Sequence, residues 1–226
     1  MTSRDRGSRG LLLDCLRVVA GLFVFAAGVH LTILASIGLA PWDSLGMGLS
    51  YHLPLNYGLS MTAMALAILA VDLAMGERIG LGTVIDALCT GNFVQLFNDL
   101  DPLPANGSLL GGLVLMAVGF AIMAVGMKLY MEAGLGCGPR DALLVGLGRR
   151  LPNVPIGVVE IGLWSFVTLA GWLLGGPVGL GTLFAALGAG AVMQVIYDAL
   201  GFEPRDVTHR GLGEVLSPAR SPQEGS

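Results

Sequence analysis

Charge is what this 226-residue chain lacks most. Asp, Glu, Lys and Arg together make up 12% of it, about half the share of an ordinary soluble domain. Twelve Lys and Arg against sixteen Asp and Glu leave a net charge of −4, so no polycationic face exists to neutralise phosphates, and nucleic acid is excluded as a partner. Cysteine is nearly missing as well. Cys15, Cys89 and Cys137 are odd in number and never spaced as CxxC, which argues against a disulfide framework or a zinc site. No P-loop, HExxH or GxSxG stretch occurs, so no enzyme, no cofactor and no bound metal is expected.

What is present is apolar. Hydrophobic residues make up 54% and glycine contributes 35 residues, with a mean hydropathy of +0.76. Runs without Asp, Glu, Lys or Arg cover 18–42, 44–71, 102–127 and 161–197. Each exceeds the roughly 20 residues that a helix needs to cross about 30 Å of hydrocarbon. The breakers predict six spans at about 15–36, 57–76, 80–98, 109–131, 155–174 and 178–198. They are Pro54 with Asn56-Tyr57-Gly58, Gly76-Glu77-Arg78, Asp101-Pro102-Leu103-Pro104 and Gly175-Gly176-Pro177. Arg4, Arg6 and Arg9 ahead of an apolar run suggest a signal peptide, but Asp14 and Arg17 interrupt that run and its continuation is too long for an h-region.

The basic residues predict orientation. Arg4, Arg6, Arg9, Arg17, Arg78, Lys128, Arg140, Arg149, Arg150, Arg205, Arg210 and Arg220 all fall in alternate connections, and 37–56, 99–108 and 175–177 hold none. By the positive-inside rule both termini are expected in the cytoplasm. The expected organisation is a cytoplasmic tail (1–14), a first three-helix unit (15–100), a periplasmic linker (101–108), a second three-helix unit (109–200) and a disordered cytoplasmic tail (201–226), rich in Pro, Ser and charge.

The two units resemble each other. Gly38-Leu39-Ala40-Pro41-Trp42-Asp43 matches Gly136-Cys137-Gly138-Pro139-Arg140-Asp141 at an offset of 98, and 79–100 matches 178–199 at an offset of 99 with 9 identities in 22 positions. Three spans is an odd number, so the second unit starts on the opposite face from the first. The fold class expected is therefore an all-α membrane protein of six transmembrane helices in 3+3 inverted repeats, a construction that puts a pathway at the repeat interface. After Pro41 and Pro139 come short apolar stretches, each reading as a half-helix, re-entrant or interfacial. Proline suits the first helical position, and Asp43 or Asp141 in the first turn suits the free backbone N–H groups there.

Gly-Cys-Gly-Pro-Arg-Asp-Ala-Leu at 136–143, Pro41-Trp42-Asp43 and Gly-Gly-x-x-Gly-x-Gly-Thr at 175–182 together resemble the YczE/YitT type of bacterial integral membrane proteins. The resemblance covers about residues 18–200. It implies a bacterial plasma (inner) membrane protein and carries over no substrate and no catalytic residue.

The candidate pathway residues are the ionisable and amide side chains inside the apolar runs, where they are costly and count as functional candidates. Asp43 and Asp141 read either as helix caps or as a cation- or proton-binding pair. Glu160 reads as an ion pair or gate with Arg140, whose fork can hold a carboxylate. Asp86, with Thr90 and Asn92, reads as interhelical hydrogen bonding or a polar lining. Gln95 and Gln194 occupy matching repeat positions and mark the interface. His30 reads as a hydrogen-bonded core residue or a proton relay. Asp72, Asp99 and Asp198 are expected at headgroup level. Thr83 and Thr182 read as caps whose free N–H groups are open to an anion. The function expected is a secondary transporter or channel-like permease for a small solute or ion, embedded in lipid. The alternative is a non-transporting scaffold or regulator that binds a protein at its cytoplasmic face. The glycine-rich spans leave a homo-oligomer open.

Overall fold

In the computed structural model, residues 8–77, 79–100, 106–204 and 207 are described. The outer parts of both expected tails, Arg78 and linker residues 101–105 lie outside them. The described chain is entirely helical outside its turns: α1 Ser8–Leu34, α2 Pro41–His52, α3 Tyr57–Ala74, α4 Leu81–Leu100, α5 Leu109–Met131, α6 Pro139–Arg150, α7 Ile156–Leu173 and α8 Leu180–Ala199. Five of these (α1, α3, α5, α7 and α8) are long and apolar enough to cross a membrane, so the chain is an all-α, multi-pass membrane protein. α4 has 20 residues, about 30 Å of helix, but Asp86, Asn92, Gln95, Asn98 and Asp99 make it the most polar of the long helices. α1 begins at Ser8, ahead of the span start expected near 15. α2 and α6 have 12 residues each and rise only about 18 Å.

The order long, short, long, long occurs twice. Local sequence explains each boundary. Pro41 and Pro139 open the short helices at positions where an N–H would go unused. Asn56 and Ser108 cap α3 and α5 by accepting from Leu59 N and Gly111 N. Gly76 and Gly175, with φ +75° in both cases, end α3 and α7 one residue past the cap.

The centre is the crossing of α1 and α5. Cβ atoms at Gly21 and Gly126 would lie within 2.8 Å of each other's carbonyl oxygens, and those at Gly28 and Gly119 within 2.7 Å. Only glycine permits this approach, which in lipid replaces a hydrophobic driving force with backbone packing. Residue 21 meets 126 while 28 meets 119, so α1 and α5 run antiparallel. α4 then packs on α1 as α8 packs on α5, and α2 lies against α7 as α6 lies against α3.

The loops between long and short helices cross from one half to the other. Leu135 O accepts from Gly82 N at 2.8 Å, and Ile37 O accepts from Gly181 N at 2.7 Å. Each loop therefore fills the start of the other half's last helix. Gly38 and Gly136 make this possible. Their φ values are +112° and +127°, a left-handed region that favours glycine, and a Cβ on either would lie within 3 Å of the opposing helix start.

Candidate functional site

The first turns of α2 and α6 approach each other inside the bundle. Arg140, the second residue of α6, sends its guanidinium between three groups: Asp43 Oδ1 at 4.0 Å, the Met61 sulfur at 3.9 Å and the Trp42 ring at 5.5 Å from its centroid. Asp43 is buried and also accepts from the Tyr57 hydroxyl at 3.2 Å. At an effective dielectric of about 20 the gross attraction across 4 Å is about 4 kcal/mol, and removing Asp43 from water offsets most of it. The pair therefore fixes how the two short helices meet more than it adds stability.

Beside this pair lies a cavity of about 210 Å³, lined by α1, α3, α4, α5, α6 and α7 with Trp42 of α2. Its polar groups are Asp86, Thr90, Tyr130, Arg140, Asp141 and Glu160, and Trp42 and Trp164 supply indole faces. Asp141 is exposed and lines the cavity. Asp86 accepts from the Thr90 hydroxyl. The one guanidinium faces three cavity carboxylates and is already held by a fourth, Asp43.

Asp86, Arg140, Asp141 and Glu160, all singled out in the sequence, line this one cavity, but several details of the sequence reading need correction. Arg140 pairs with Asp43 across the halves and not with Glu160, which lines the same cavity at a distance. Asp43 and Asp141 do sit in the first turns of α2 and α6, but Asp43 accepts from Tyr57 and faces Arg140. At the starts of α4 and α8, Gly82 N and Gly181 N are already bonded. The crossing carbonyls take them, and Thr83 and Thr182 accept from Gly80 N at 3.3 Å and Gly179 N at 3.1 Å. Thr83 donates in turn to Cys137 O at 2.6 Å. Asp72 is fully covered at the end of α3, and its carboxylate has no hydrogen-bond partner among the described residues.

His30, Gln95 and Gln194 do not line the cavity. His30 Nδ1 lies 2.7 Å from Asn98 Oδ1 and its ring stacks on Phe97. Gln95 donates to Asp99 at 2.6 Å and Gln194 to Asp198 at 2.7 Å, one helical turn on in each case. Trp42, Met61, Tyr130 and Trp164 are site residues that sequence reasoning did not single out. Aromatic and Met side chains are common inside any span, so nothing local marks them. Cys137, in the connection before α6, is half-buried: burial, and then the Asp141 carboxylate, push its thiol up to about 11.

The C-terminal end of α6 is tied to the α3–α4 turn. Arg149 pairs with Glu77 at 2.9 Å, and Arg150 donates to Met75 O at 2.9 Å. The half-helix thus runs from the cavity to the end of α3 and is anchored at both ends.

The model of a family described as "Family of unknown function (DUF6198)" matches residues 12–198. The chain is 31% identical over 183 residues to an "Uncharacterized protein" of Haemophilus influenzae, covering 81% of this chain and 83% of that one. It is 30% identical over 177 residues to the "Uncharacterized membrane protein YczE" of Bacillus subtilis, covering 77% and 81%. A third relative, "Uncharacterized protein YyaS" of the same bacterium, is 26% identical over 179 residues, covering 77% and 88%. No solved structure matches the chain.

Proposed function

The chain belongs to the DUF6198 family of bacterial membrane proteins, and from that premise we propose that it is a secondary transporter or channel-like permease whose pathway runs between its two halves. The solute is a small organic cation, moved without chemical conversion. The carrying observation is the central cavity, where Asp86, Asp141 and Glu160 face a single guanidinium already engaged by Asp43. An ammonium group placed there meets unneutralised carboxylates and two indole faces, a combination that favours cations.

The topology proposed is six spans in two inverted units within the bacterial plasma (inner) membrane, with both termini cytoplasmic. The antiparallel α1–α5 seam, the matched cross-half contacts of α2 with α7 and α6 with α3 and the alternation of the basic residues support it. On this reading α2 enters from outside and α6 from inside, and Trp42 with the Arg140–Asp43 pair stands between the cavity and the outer side. The chain holds no P-loop, so coupling is to a proton or sodium gradient, or the movement is downhill.

Uptake by proteoliposomes of a panel of small amines, with amino acids and carboxylates alongside, tests this. The expected result is saturable amine uptake that Asp141→Asn and Glu160→Gln each reduce at least tenfold while thermal stability holds. Uptake that survives both substitutions removes the site assignment. A panel that neither moves nor shifts thermal stability, together with a defined protein partner on the cytoplasmic face, favours the scaffold reading instead.

A further inference from the structure

The last helix pair of each half carries the same two glycines and the same glutamine at matching positions but is closed in one half and open in the other. We propose that α7 and α8 form a moving gate: they close on each other through Gly157 and Gly190, as α3 and α4 are closed here through Gly58 and Gly91, when the opposite pair opens. This rests on reading the cavity as a transport site, and it adds which elements move.

The first half shows the closed form. A Cβ on Gly58 would lie 2.8 Å from Gly91 O, and one on Gly91 would lie 2.7 Å from Gly58 O. Across the same seam Gln95 Oε1 accepts from Gly58 N at 3.2 Å, and Asn92 donates to the Thr62 hydroxyl at 3.2 Å. At an offset of 99 the second half repeats Gly157, Gly190, Gln194 and Asp198. Gln194 is oriented as Gln95 is, bonded to Asp198 at 2.7 Å. Yet a Cβ on Gly157 or Gly190 would meet nothing within 4 Å, and no hydrogen bond joins Gln194 to α7 among the described residues. A groove of about 700 Å³ opens between α7 and α8 instead.

Glycine inside a helix costs about 1 kcal/mol relative to alanine. In α1, α5, α3 and α4 that cost is offset by backbone approach. At Gly190 nothing offsets it in this conformation, and Gly157 in the first turn of α7 likewise meets nothing, whereas a closed conformation like that of the first half would use both. Trp164 connects the gate to the site, because it lines both the groove and the central cavity. α7 is held mainly by α2, and α3 by α4 with α2 and α6 beside it, so α7 can swing with its short partner against the α1–α5 centre, and α3 can do the same once it parts from α4. Exchange of the open and closed pairs by such rocking is how inverted units alternate access.

Disulfide trapping reads the motion without any solute. In a background with Cys15, Cys89 and Cys137 changed to Ser, Ile161→Cys with Ala191→Cys occupies the positions equivalent to Thr62 and Asn92. Oxidation in native membranes is expected to link this pair, since the closed form brings the two chains within the roughly 4–7 Å Cα separation that a disulfide requires. The already closed Thr62→Cys with Asn92→Cys is the positive control. Adding Gly190→Leu, whose side chain enters open space here, is expected to leave thermal stability unchanged while cutting the α7–α8 link at least fivefold. If the α7–α8 pair stays reduced while the control oxidises, or if Gly190→Leu leaves the link intact, the gate is refuted even where amine uptake is seen. If the link forms but neither oxidised nor reduced proteoliposomes take up amines, the movement stands and the transport reading falls; if both take them up equally, α7 and α8 do not gate and the proposal is refuted.

Discussion

In the first half, α3 and α4 lie backbone to backbone; in the second, α7 and α8 barely touch. Half of α3's most apolar stretch is buried, against 17% for α7 and 22% for α8. Gly58 and Gly91 recur as Gly157 and Gly190, so small residues alone do not decide whether a pair closes. The polar positions differ. Asp86, Thr90 and Asn92 of α4 correspond to Ala185, Ala189 and Ala191 of α8. Only the first half can therefore bond Asn92 to Thr62 across its seam, and only the first half lines the cavity with a carboxylate from its last helix. A duplicated framework has become asymmetric through a few side chains: the first half has the closed pair and places Asp86 in the cavity, while the second has the loose pair and places Arg140, Asp141 and Glu160 there.

The largest expected effect separates packing from sequence identity. Gly91→Leu drives a side chain into Gly58 O and Met61 Cβ, both within 2.8 Å of the added Cβ, and overpacking of this kind costs about 1–3 kcal/mol. Its counterpart Gly190→Leu is expected to cost nothing measurable in detergent thermal unfolding. Equal losses in the two variants would mean that α8 is packed in solution as α4 is. A smaller effect is expected at the joint between the short helices. Asp43→Asn leaves the guanidinium without its carboxylate, and since Arg140 is about a third exposed the expected loss is about 1–2 kcal/mol, below the cost of breaking a fully buried pair. The double variant with Arg140→Gln should recover part of it. Strict additivity in that cycle would deny the contact. The smallest effect concerns the amides. Gln95→Leu removes the bond to Gly58 N and is expected to cost about 0.6 kcal/mol, while Gln194→Leu, with no bond to α7, should lie within error of the parent protein. A loss at Gln194 as large as at Gln95 would erase the difference between the halves.

Much of the framework was legible in the chain because membrane helices leave strong marks. Long uncharged runs place the helices, Pro41 and Pro139 place the short ones, and the Gly-x-Gly-Thr pair reveals the duplication. The reason for those glycines was not legible: Gly38 and Gly136 serve loops that cross to the opposite half, a relation between residues more than 50 positions apart. Arg140 reads as the partner of Glu160 because its fork suits a carboxylate expected on the same side, whereas its partner Asp43 is 97 residues away and belongs to the other half. The burial of Asp72 was hidden because its position near a helix end suggested water. The gap between α7 and α8 left no trace, since Gly157 and Gly190 read as Gly58 and Gly91 do.

Everything about the pathway depends on α2 and α6 entering from opposite faces. Tyr51 and Arg149, matching positions near the exposed ends of the two short helices, give the most direct measurement. In the background lacking native cysteines, single Tyr51→Cys and Arg149→Cys variants would be treated with a membrane-impermeant maleimide on intact cells and then on opened membranes. The account predicts labelling of position 51 from outside and of position 149 only after the cytoplasmic face is opened. Labelling of both from the same side would contradict it.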